Sequence, residues 1–272
     1  MSGATQMLTH RLEGEGETVL LLNGGFMTLA SWGPVTSHLQ ESYQLLFCDL
    51  RGQILSPGAS HADLEGNVKD VEALLDELDI EKAHVLGTSF GAFVGLRLAA
   101  TRPQRVLSMI AATATDIATP SMLRGVKNLR QVLADIADGG DPGRFHDLLV
   151  EDVYSRDYVS SHLVELSARR GLIEKLPRAW FAGLEGIVTC TGTLDLRADL
   201  GKIHCPTLVV IAGRDQVIPP EQSRALAAAI PGARYVEHPT SGHALVAEDP
   251  AWLAQESLAF LQKVVAQSPA AH

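Results

Sequence analysis

Short, continuous runs of apolar residues alternate along the first 112 residues with segments whose apolar residues recur every three or four positions. The continuous runs are typical of strands buried on both faces, and the spaced pattern is typical of helices that cover a sheet. The pattern predicts strands at Thr18–Leu22, Tyr43–Leu50, Ala83–Leu86 and Val106–Ala112. It predicts helices at Leu29–Leu39, Leu64–Leu78 and Ala92–Ala100. This alternation indicates an α/β fold with a mostly parallel sheet covered on both faces.

The alternation stops near Asp116 and resumes after Leu200. Between them the pattern is mainly helical, with segments at Met122–Ile136, Arg144–Val153, Tyr158–Ala168 and around Leu172–Leu184. Beyond it, the sequence predicts strands at Thr207–Ala212 and near Arg234–Glu237, and helices at Pro220–Ile230 and Pro250–Ala266. The simplest interpretation is one sheet domain, residues 1–115 and 201–272, with a helical block inserted at 116–200. We expect Ser268–His272 to be a frayed tail.

Composition narrows the function classes. A chain of 272 residues is long enough for one large α/β domain with an insertion. The formal net charge is −10, and the lack of a basic patch or basic amphipathic helix argues against binding to nucleic acid or a membrane surface. No apolar run approaches the ~20 residues that span a bilayer, and Met1–Glu17 has no apolar core of the signal-peptide kind. We therefore expect a cytoplasmic protein.

The cysteines do not suggest a metal or redox site. Cys48, Cys190 and Cys205 are an odd number and lack the spacing of metal ligands. Cys48 and Cys205 lie in or beside strand-like segments, where we interpret them as small buried apolar residues. No ligand cluster suits a metal or an organic cofactor, so we expect neither.

The strongest chemical signal is the sequence Gly87-Thr88-Ser89-Phe90-Gly91, between a predicted strand and a predicted helix. Gly-x-Ser-x-Gly in that setting is the pattern of a nucleophile elbow, a sharp turn that holds the serine in a strained backbone conformation. Bulky side chains two positions to either side would collide. The turn would push the Ser89 hydroxyl out of the sheet and direct the first N–H groups of the helix at the group it attacks. We predict that Ser89 is a nucleophile.

Two loops downstream carry the partners that such a serine needs. A serine hydroxyl requires a general base, and the base requires an orienting carboxylate. In parallel α/β sheets these groups lie in loops at the carboxyl ends of strands. Asp215 follows the strand Thr207–Ala212, and His243 follows the strand near Val236. We predict a Ser89–Asp215–His243 triad; the alternative for Asp215 is a turn-stabilising role.

A glycine-rich loop follows the first predicted strand, in the sequence Asn23-Gly24-Gly25-Phe26. Acyl chemistry on a serine needs two backbone N–H groups that bind the developing oxyanion. One would come from Phe90, directly after the nucleophile. We predict that Gly25 supplies the other, with the Phe26 amide as the alternative donor.

With these features, the chain resembles the α/β-hydrolase superfamily, in its esterase-like branch with a serine nucleophile. The resemblance covers about residues 17–112 and 204–266, and the order serine, acid, histidine is the order of that family's triad. The supporting motifs are Leu22-Asn23-Gly24-Gly25 with Ser31-Trp32, Asp49-Leu50-Arg51-Gly52-Gln53, Gly87–Gly91, Gly213-Arg214-Asp215 and Ser241-Gly242-His243. The resemblance implies an α/β-hydrolase fold with a mostly parallel, doubly wound sheet and an inserted helical cap at 116–200 that shapes the substrate pocket.

Two positions depart from the family's pattern. Many members have His-Gly where this chain has Asn23-Gly24, and many have Arg-Gly-His-Gly where it has Arg51-Gly52-Gln53-Ile54. The Asn-Gly opening and the nearby Gly-Gln are loosely similar to hydroxyacyl transferases that use thioesters. The elbow itself looks like the ordinary esterase form.

The leading hypothesis is a serine hydrolase that cleaves a small carboxylic ester or thioester through an acyl-enzyme on Ser89. The alternative is an acyltransferase that moves a (hydroxy)acyl group from a thioester to a hydroxyl or thiol acceptor. Lactone hydrolysis, carbon–carbon bond hydrolysis and a non-catalytic small-molecule binder are ranked lower.

Three residues are predicted to contact substrate. Phe26 lies in the glycine loop, Trp32 lies just beyond it, and Met122 begins an apolar stripe in the cap. That stripe could line a dry pocket, although such stripes are more often plain core packing. The acyl length, the leaving group and the oligomeric state stay open, with a homodimer as one option.

Overall fold

The computed structural model describes residues 7–267, and the statements below concern this part of the chain. The predicted tail Ser268–His272 lies outside the described residues. The strands are β1 His10–Glu13, β2 Thr18–Leu22, β3 Gln44–Cys48, β4 Ala83–Thr88, β5 Val106–Ala112, β6 Thr207–Ala212 and β7 Arg234–His238. Within the described residues they form one sheet in the spatial order β1-β3-β2-β4-β5-β6-β7.

The sheet is parallel from β3 to β7, and only the edge strand β1 pairs antiparallel, with β3. The chain lays β3 on one side of β2 and β4 on the other. At such a change of direction, α/β sheets bind their ligands beyond the carboxyl ends of the two strands, here β2 and β4. The glycine loop and the serine elbow follow these two strands.

Helices cover both faces of the sheet. Their bounds are α1 Gly33–Thr36, α2 Leu64–Glu77, α3 Phe90–Thr101, α4 Pro120–Ala137, α5 Gly143–Val153, α6 Arg156–Ser161, α7 Leu163–Ile173, α8 Arg178–Gly183, α9 Glu185–Gly192, α10 Pro220–Ala229, α11 Leu245–Glu248 and α12 Pro250–Gln267. Apolar side chains of α1 and α12 share one core with half of the strand residues. Those of α2, α3 and α10 share a second core with the other half. The predicted mostly parallel, doubly wound sheet is confirmed.

Strand β2 shows why the sequence folds in this way. All five of its residues are buried. Val19 and Leu21 point into the core with α1 and α12, whereas Leu20 and Leu22 point into the core with α2 and α3. Because both faces are covered, the strand needs a continuous apolar run rather than an alternating one.

Helices α4 to α9 lie between β5 and β6, in the segment where the sequence pattern was helical. The predicted helix Tyr158–Ala168 is two helices, α6 and α7, because the chain leaves helical geometry at His162, whose φ is −123°. Pro177 separates α7 from α8, since proline cannot continue a helix. Helix α9 was not predicted, because Thr-Cys-Thr-Gly at its end carries no apolar stripe.

Two further elements differ from the predictions near the amino terminus. Strand β1 was not predicted, because this half-exposed edge strand has a single apolar residue, Leu12. The predicted helix Leu29–Leu39 is a 3-10 turn at Leu29–Trp32 followed by the single turn α1. Among residues 7–267, no helix is both long and apolar enough to cross a bilayer.

Candidate active site

Ser89 lies at the sharp turn between β4 and α3, with φ 49° and ψ −118°. Residues other than glycine rarely adopt this backbone conformation. A Cβ on Gly91 would collide with the Leu22 carbonyl, and one on Gly87 would lie 2.6 Å from the Gly91 oxygen. The Ser89 amide donates to the Ala112 carbonyl at 2.9 Å. The two glycines therefore allow the helix to start directly against the sheet, with the half-buried serine at its amino terminus.

The structure brings Ser89, His243 and Asp215 into one chain of hydrogen bonds. His243 Nε2 lies 2.9 Å from Ser89 Oγ, and His243 Nδ1 lies 2.7 Å from Asp215 Oδ2. The three side chains come from the carboxyl ends of β4, β7 and β6. Because a carboxylate only accepts, Nδ1 of the imidazole carries the proton toward Asp215. Nε2 of the neutral ring is then free to accept the Ser89 proton.

Asp215 is itself held in place. It is buried, and its Oδ1 accepts the amides of Val217 and Ile218 at 2.9 and 2.8 Å. These bonds leave Oδ2 directed at His243. A buried carboxylate with every oxygen bonded keeps one orientation, and it orients the imidazole in turn.

The glycine loop after β2 lies beside the elbow. Met27 N donates to the Gly24 carbonyl at 3.1 Å and closes a turn, and Gly24 N donates to Met27 Sδ at 3.3 Å. A Cβ on Gly25 would lie 3.7 Å from Cβ of Phe90. Within residues 7–267, the Gly25, Phe26 and Phe90 amides make no hydrogen bond. The loop thus places unbonded N–H groups next to the first residue of α3.

A buried network of polar side chains holds the glycine loop in place. Gln53 Nε2 donates to the carbonyls of Gly24 at 2.7 Å and Gly25 at 3.4 Å. Gln53 Oε1 accepts Nδ2 of Asn23 at 3.1 Å, and Asn23 Nδ2 also donates to Asp49 Oδ1 at 2.8 Å. Asn23, Asp49 and Gln53 are all buried. The carbonyl sides of the loop peptides are therefore fixed, which fixes the direction of their N–H sides.

Asp49 is the charged centre of this network. It also accepts the Leu29 amide at 2.6 Å and the Leu55 amide at 3.1 Å. Burial raises the pKa of Asp49, and the bonds from Leu29, Leu55 and Asn23 oppose that shift. The carboxylate thereby ties together the loops that follow β2 and β3.

Comparison with known proteins identifies the fold family. The family model described as the alpha/beta hydrolase family matches residues 19–256. The chain belongs to the alpha/beta hydrolase family.

The alignments with similar proteins extend over most of the length of this hydrolase. A Pseudomonas syringae protein named as a carbamate hydrolase is 28% identical over 252 residues, 91% of this chain and 94% of the relative. A 2-hydroxy-6-oxononadienedioate/2-hydroxy-6-oxononatrienedioate hydrolase of Cupriavidus pinatubonensis is 26% identical over 84% of this chain and 80% of its own length. The enol-lactonase of Burkholderia xenovorans has a TM-score of 0.83 and 26% identity, with 94% and 96% of the two chains covered. These relatives support a hydrolase.

The residues predicted to contact substrate fall in different places in the hydrolase. Phe26 is half-buried, and its ring meets the Phe145 ring of α5 edge-on with 5.2 Å between centroids. Met122 on α4 is buried in the same core as Phe90. Phe26 packs against this core as well, and α4 and α5 both contribute buried residues to it.

Trp32 does not fit its predicted role in substrate binding. It is fully buried in the other core, with α1 and α12, and its Nε1 donates to Asn23 Oδ1 at 2.7 Å. The indole therefore orients the Asn23 amide instead of facing an open site. The prediction rested on the closeness of Trp32 to the glycine loop along the chain. The 3-10 turn at Leu29–Trp32 instead directs the side chain into the core that contains α1 and α12.

The three cysteines of the hydrolase are free thiols that form no disulfide. Burial raises the pKa of Cys48 and of Cys190 to about 12, so both stay protonated and unreactive near neutral pH. In the part of the chain that is described, no three metal-ligating side chains lie together.

Two residues near the site were given no role there by the sequence analysis. Ile187 of α9 is buried, and its Cγ2 lies 3.1 Å from where a Cβ on Gly25 would be. Asp49 belonged to a motif, but its central position in the buried network was not predicted. A charged residue directly after four consecutive buried apolar residues, Leu45–Cys48, is the signal that could have shown it.

Proposed function

We propose that this hydrolase is a serine hydrolase that cleaves small carboxylic esters or thioesters through an acyl-enzyme on Ser89. The observation that carries the proposal is the continuous hydrogen-bonded chain from Ser89 through His243 to the buried Asp215. Acyl transfer to a serine requires a nucleophile, a general base, an orienting acid and donors for the oxyanion. The elbow, His243, Asp215 and the unbonded loop amides lie together at one edge of the sheet.

Acylation begins when His243 Nε2 takes the proton of the Ser89 hydroxyl. Ser89 Oγ attacks the acyl carbon, and the carbonyl oxygen becomes an oxyanion. The Gly25 and Phe90 amides bind that oxyanion, an interaction worth about 3–4 kcal/mol per donor in enzymes of this kind. Asp215 stabilises the imidazolium, which then gives its proton to the leaving alcohol or thiol.

Deacylation repeats these steps with water. His243 accepts a proton from the water molecule, whose oxygen attacks the Ser89 ester. The tetrahedral intermediate collapses, the carboxylic acid leaves, and the proton returns to Ser89 Oγ. Residues 116–200 act as a cap in this proposal, since α9 and α5 approach Gly25 and Phe26 directly.

The test is a rapid-mixing assay of p-nitrophenyl acetate and an acetyl thioester with the wild type, Ser89→Ala and Ser37→Ala. We expect a burst of leaving group stoichiometric with enzyme in the wild type, and a fall of about 10³-fold or more in kcat/KM for Ser89→Ala. Ser37 is exposed, so its replacement controls for loss of a hydroxyl. Turnover that survives in Ser89→Ala would contradict the proposal.

Carbamate hydrolysis is a second candidate, favoured by the name of the Pseudomonas syringae relative. A carbamate offers the same carbonyl to Ser89, but its nitrogen makes the carbon less electrophilic. An acetate ester and a carbamate with the same phenol leaving group separate the two candidates by the ratio of their kcat/KM values. Addition of an excess hydroxyl acceptor tests acyl transfer, and a lactone and a β-diketone complete the panel.

A further inference from the structure

The loop that carries His243 is attached to the helical insertion on both sides of the histidine. On one side, Ala244 N donates to the Val153 carbonyl at 2.8 Å. On the other, Gly242 packs so closely that a Cβ there would lie 2.6 Å from Ser155 N and 2.9 Å from the Tyr154 carbonyl carbon. Residues 153–155 join α5 to α6, so a junction inside the insertion contacts both peptide neighbours of His243.

Glu248, in α11, bridges these two parts of the chain. Its Oε1 accepts Ser155 N at 2.7 Å, and its Oε2 accepts Gly242 N at 3.1 Å. Its own amide donates to the Ala244 carbonyl at 3.0 Å, which ties the helix back to the same loop. Gly242 and Ser155 are buried. Without the carboxylate, two buried amides would lose their acceptor, and an unsatisfied buried donor is costly.

A carboxylate suits this bridge because it is an acceptor at both oxygens. The N–H groups of Ser155 and Gly242 are both donors, so they cannot bond to each other. A group with two acceptor oxygens satisfies both, and its charge strengthens each bond. A second tie, the ion pair of Arg214 with Asp157 at 2.6 Å, is exposed and therefore weak.

We infer that Glu248 is a positioning residue for His243, and that through it the α5–α6 junction sets the place of the imidazole. The inference rests on the proposed function, since it concerns the same base. Within residues 7–267, the Glu248 side chain makes no hydrogen bond to Ser89 or to the His243 ring. It holds the Gly242 peptide, while the Val153 carbonyl holds the Ala244 peptide, and His243 lies between them. A displacement of the junction moves the imidazole relative to Ser89 Oγ.

Two independent changes test the bridge from its two ends. Glu248→Ala removes the acceptor. Ser155→Pro removes the Ser155 N–H and places the proline Cδ in the direction of Glu248 Oε1, so it breaks the bridge from its other end. The backbone accepts proline here, because Ser155 has φ −65° and Tyr154 before it is extended with ψ 148°. Ser155→Ala is the matched control, since it loses the side-chain cap of α6 but keeps the N–H.

With a chromogenic ester, we expect Glu248→Ala and Ser155→Pro each to lower kcat by about 10- to 100-fold with little change in KM, because a displaced base costs rate and not binding. Ser155→Ala should keep the wild-type kcat. Glu248→Gln, which retains one acceptor oxygen, should recover part of the loss. Combining Glu248→Ala with Ser155→Pro should add little to either, since both break one bridge.

Asp63→Ala controls for a general loss of stability. It removes a carboxylate that accepts a backbone amide, from Gly66 at 2.7 Å, outside the loops of Asp215 and His243. Thermal unfolding of each variant shows whether it folds, and Ser155→Pro carries the test if Glu248→Ala does not fold. A wild-type kcat in the folded Glu248→Ala or Ser155→Pro variant overturns the inference. If Ser89→Ala is still active, the proposed function fails instead, so the two failures are distinguishable.

Discussion

Ser89 is one of two strained residues at neighbouring strand ends. Its φ is 49°, and Thr113, which follows β5, has φ 47°. Thr113 is β-branched and buried, so this conformation is unusual for it. The Thr113 amide donates to the Val210 carbonyl at 2.9 Å, and its hydroxyl pairs with that of Thr88 at 3.1 Å. Hydrogen bonds to the sheet thus hold Ser89 and Thr113 in these strained conformations. The Ser89 hydroxyl is therefore already in position before substrate binds.

At the same scale, Gln53 holds the glycine loop. Gln53→Glu replaces the donor that faces the Gly24 carbonyl at 2.7 Å with an oxygen that repels it. We expect kcat to fall by about 10- to 100-fold, because the loop amides turn away from the oxyanion. The kcat of Gln53→Glu relative to the wild type should rise at acid pH, where the introduced carboxyl group is protonated and donates to the carbonyl again.

A pH–rate profile of the Gln53→Glu enzyme checks this prediction. Gln255→Glu, at an exposed position of α12, introduces the same charge without the contact and should follow the wild-type profile. A profile of Gln53→Glu that is lowered equally at every pH would indicate general damage to the fold instead of loss of this donor.

At the scale of elements, α9 is fastened to the loop after β3. Ser60 Oγ accepts the Ile187 amide at 3.1 Å and donates to the Gly183 carbonyl. Gly186 lies against Ser60 so closely that any side chain there would collide with the Ser60 carbonyl. This attachment sets the first turn of α9 and holds Ile187 against Gly25.

Ile187→Ala should therefore change both stability and substrate preference. The side chain is 1% exposed, and truncation of a buried isoleucine costs about 2–5 kcal/mol in the free energy of unfolding. The space opened beside Gly25 should raise the kcat/KM ratio of branched to acetyl esters. Urea unfolding and a series of p-nitrophenyl esters measure the two effects. Leu163→Ala, at an exposed site of α7, should change neither, and an unaltered ester preference in Ile187→Ala would separate α9 from the acyl site.

At the scale of the whole molecule, stability is linked to pH through a histidine far along the sheet from the triad. His84 in β4 is buried, with Nδ1 2.8 Å from Ser108 Oγ and Nε2 3.3 Å from Glu17. The Tyr43 ring meets it edge-on. Burial lowers the pKa of His84, and Glu17 opposes the shift. The native state therefore favours the neutral ring.

The sign of the effect follows from this lowered pKa. An unfolded histidine titrates near 6.5, so below about that pH the unfolded chain binds a proton that native His84 refuses. The stabilisation is fully present above pH ~6.5 and is lost as the pH falls toward the lowered native pKa. Between pH 7.5 and 5.5, the free energy of urea unfolding should fall less in His84→Gln than in the wild type. His204→Gln, at an exposed site, controls for the substitution, and equal slopes in His84→Gln and wild type would refute the linkage.

The central sheet could be predicted from the sequence because its strands are buried on both faces. The predicted strands Val106–Ala112 and Thr207–Ala212 have the bounds that the structure shows. Short continuous apolar runs rich in β-branched residues favour a strand that is covered on both faces. The edge strand β1 was missed, because it is half-exposed and its pairing with β3, not its composition, makes it a strand.

By itself, the sequence determined the fold and the identity of the residues that meet at Ser89. Glycines at positions 87 and 91, and the order of Ser89, Asp215 and His243, are local signals, and a parallel sheet brings its strand ends to one edge. Only the tertiary structure decided the contacts between segments distant in the chain. Trp32 was predicted to contact substrate, but in the structure it is buried and donates to Asn23. Glu248 connects the loop of His243 to the helical insertion. Burial and hydrogen-bond partners depend on the packing of several segments at once, which no local pattern encodes.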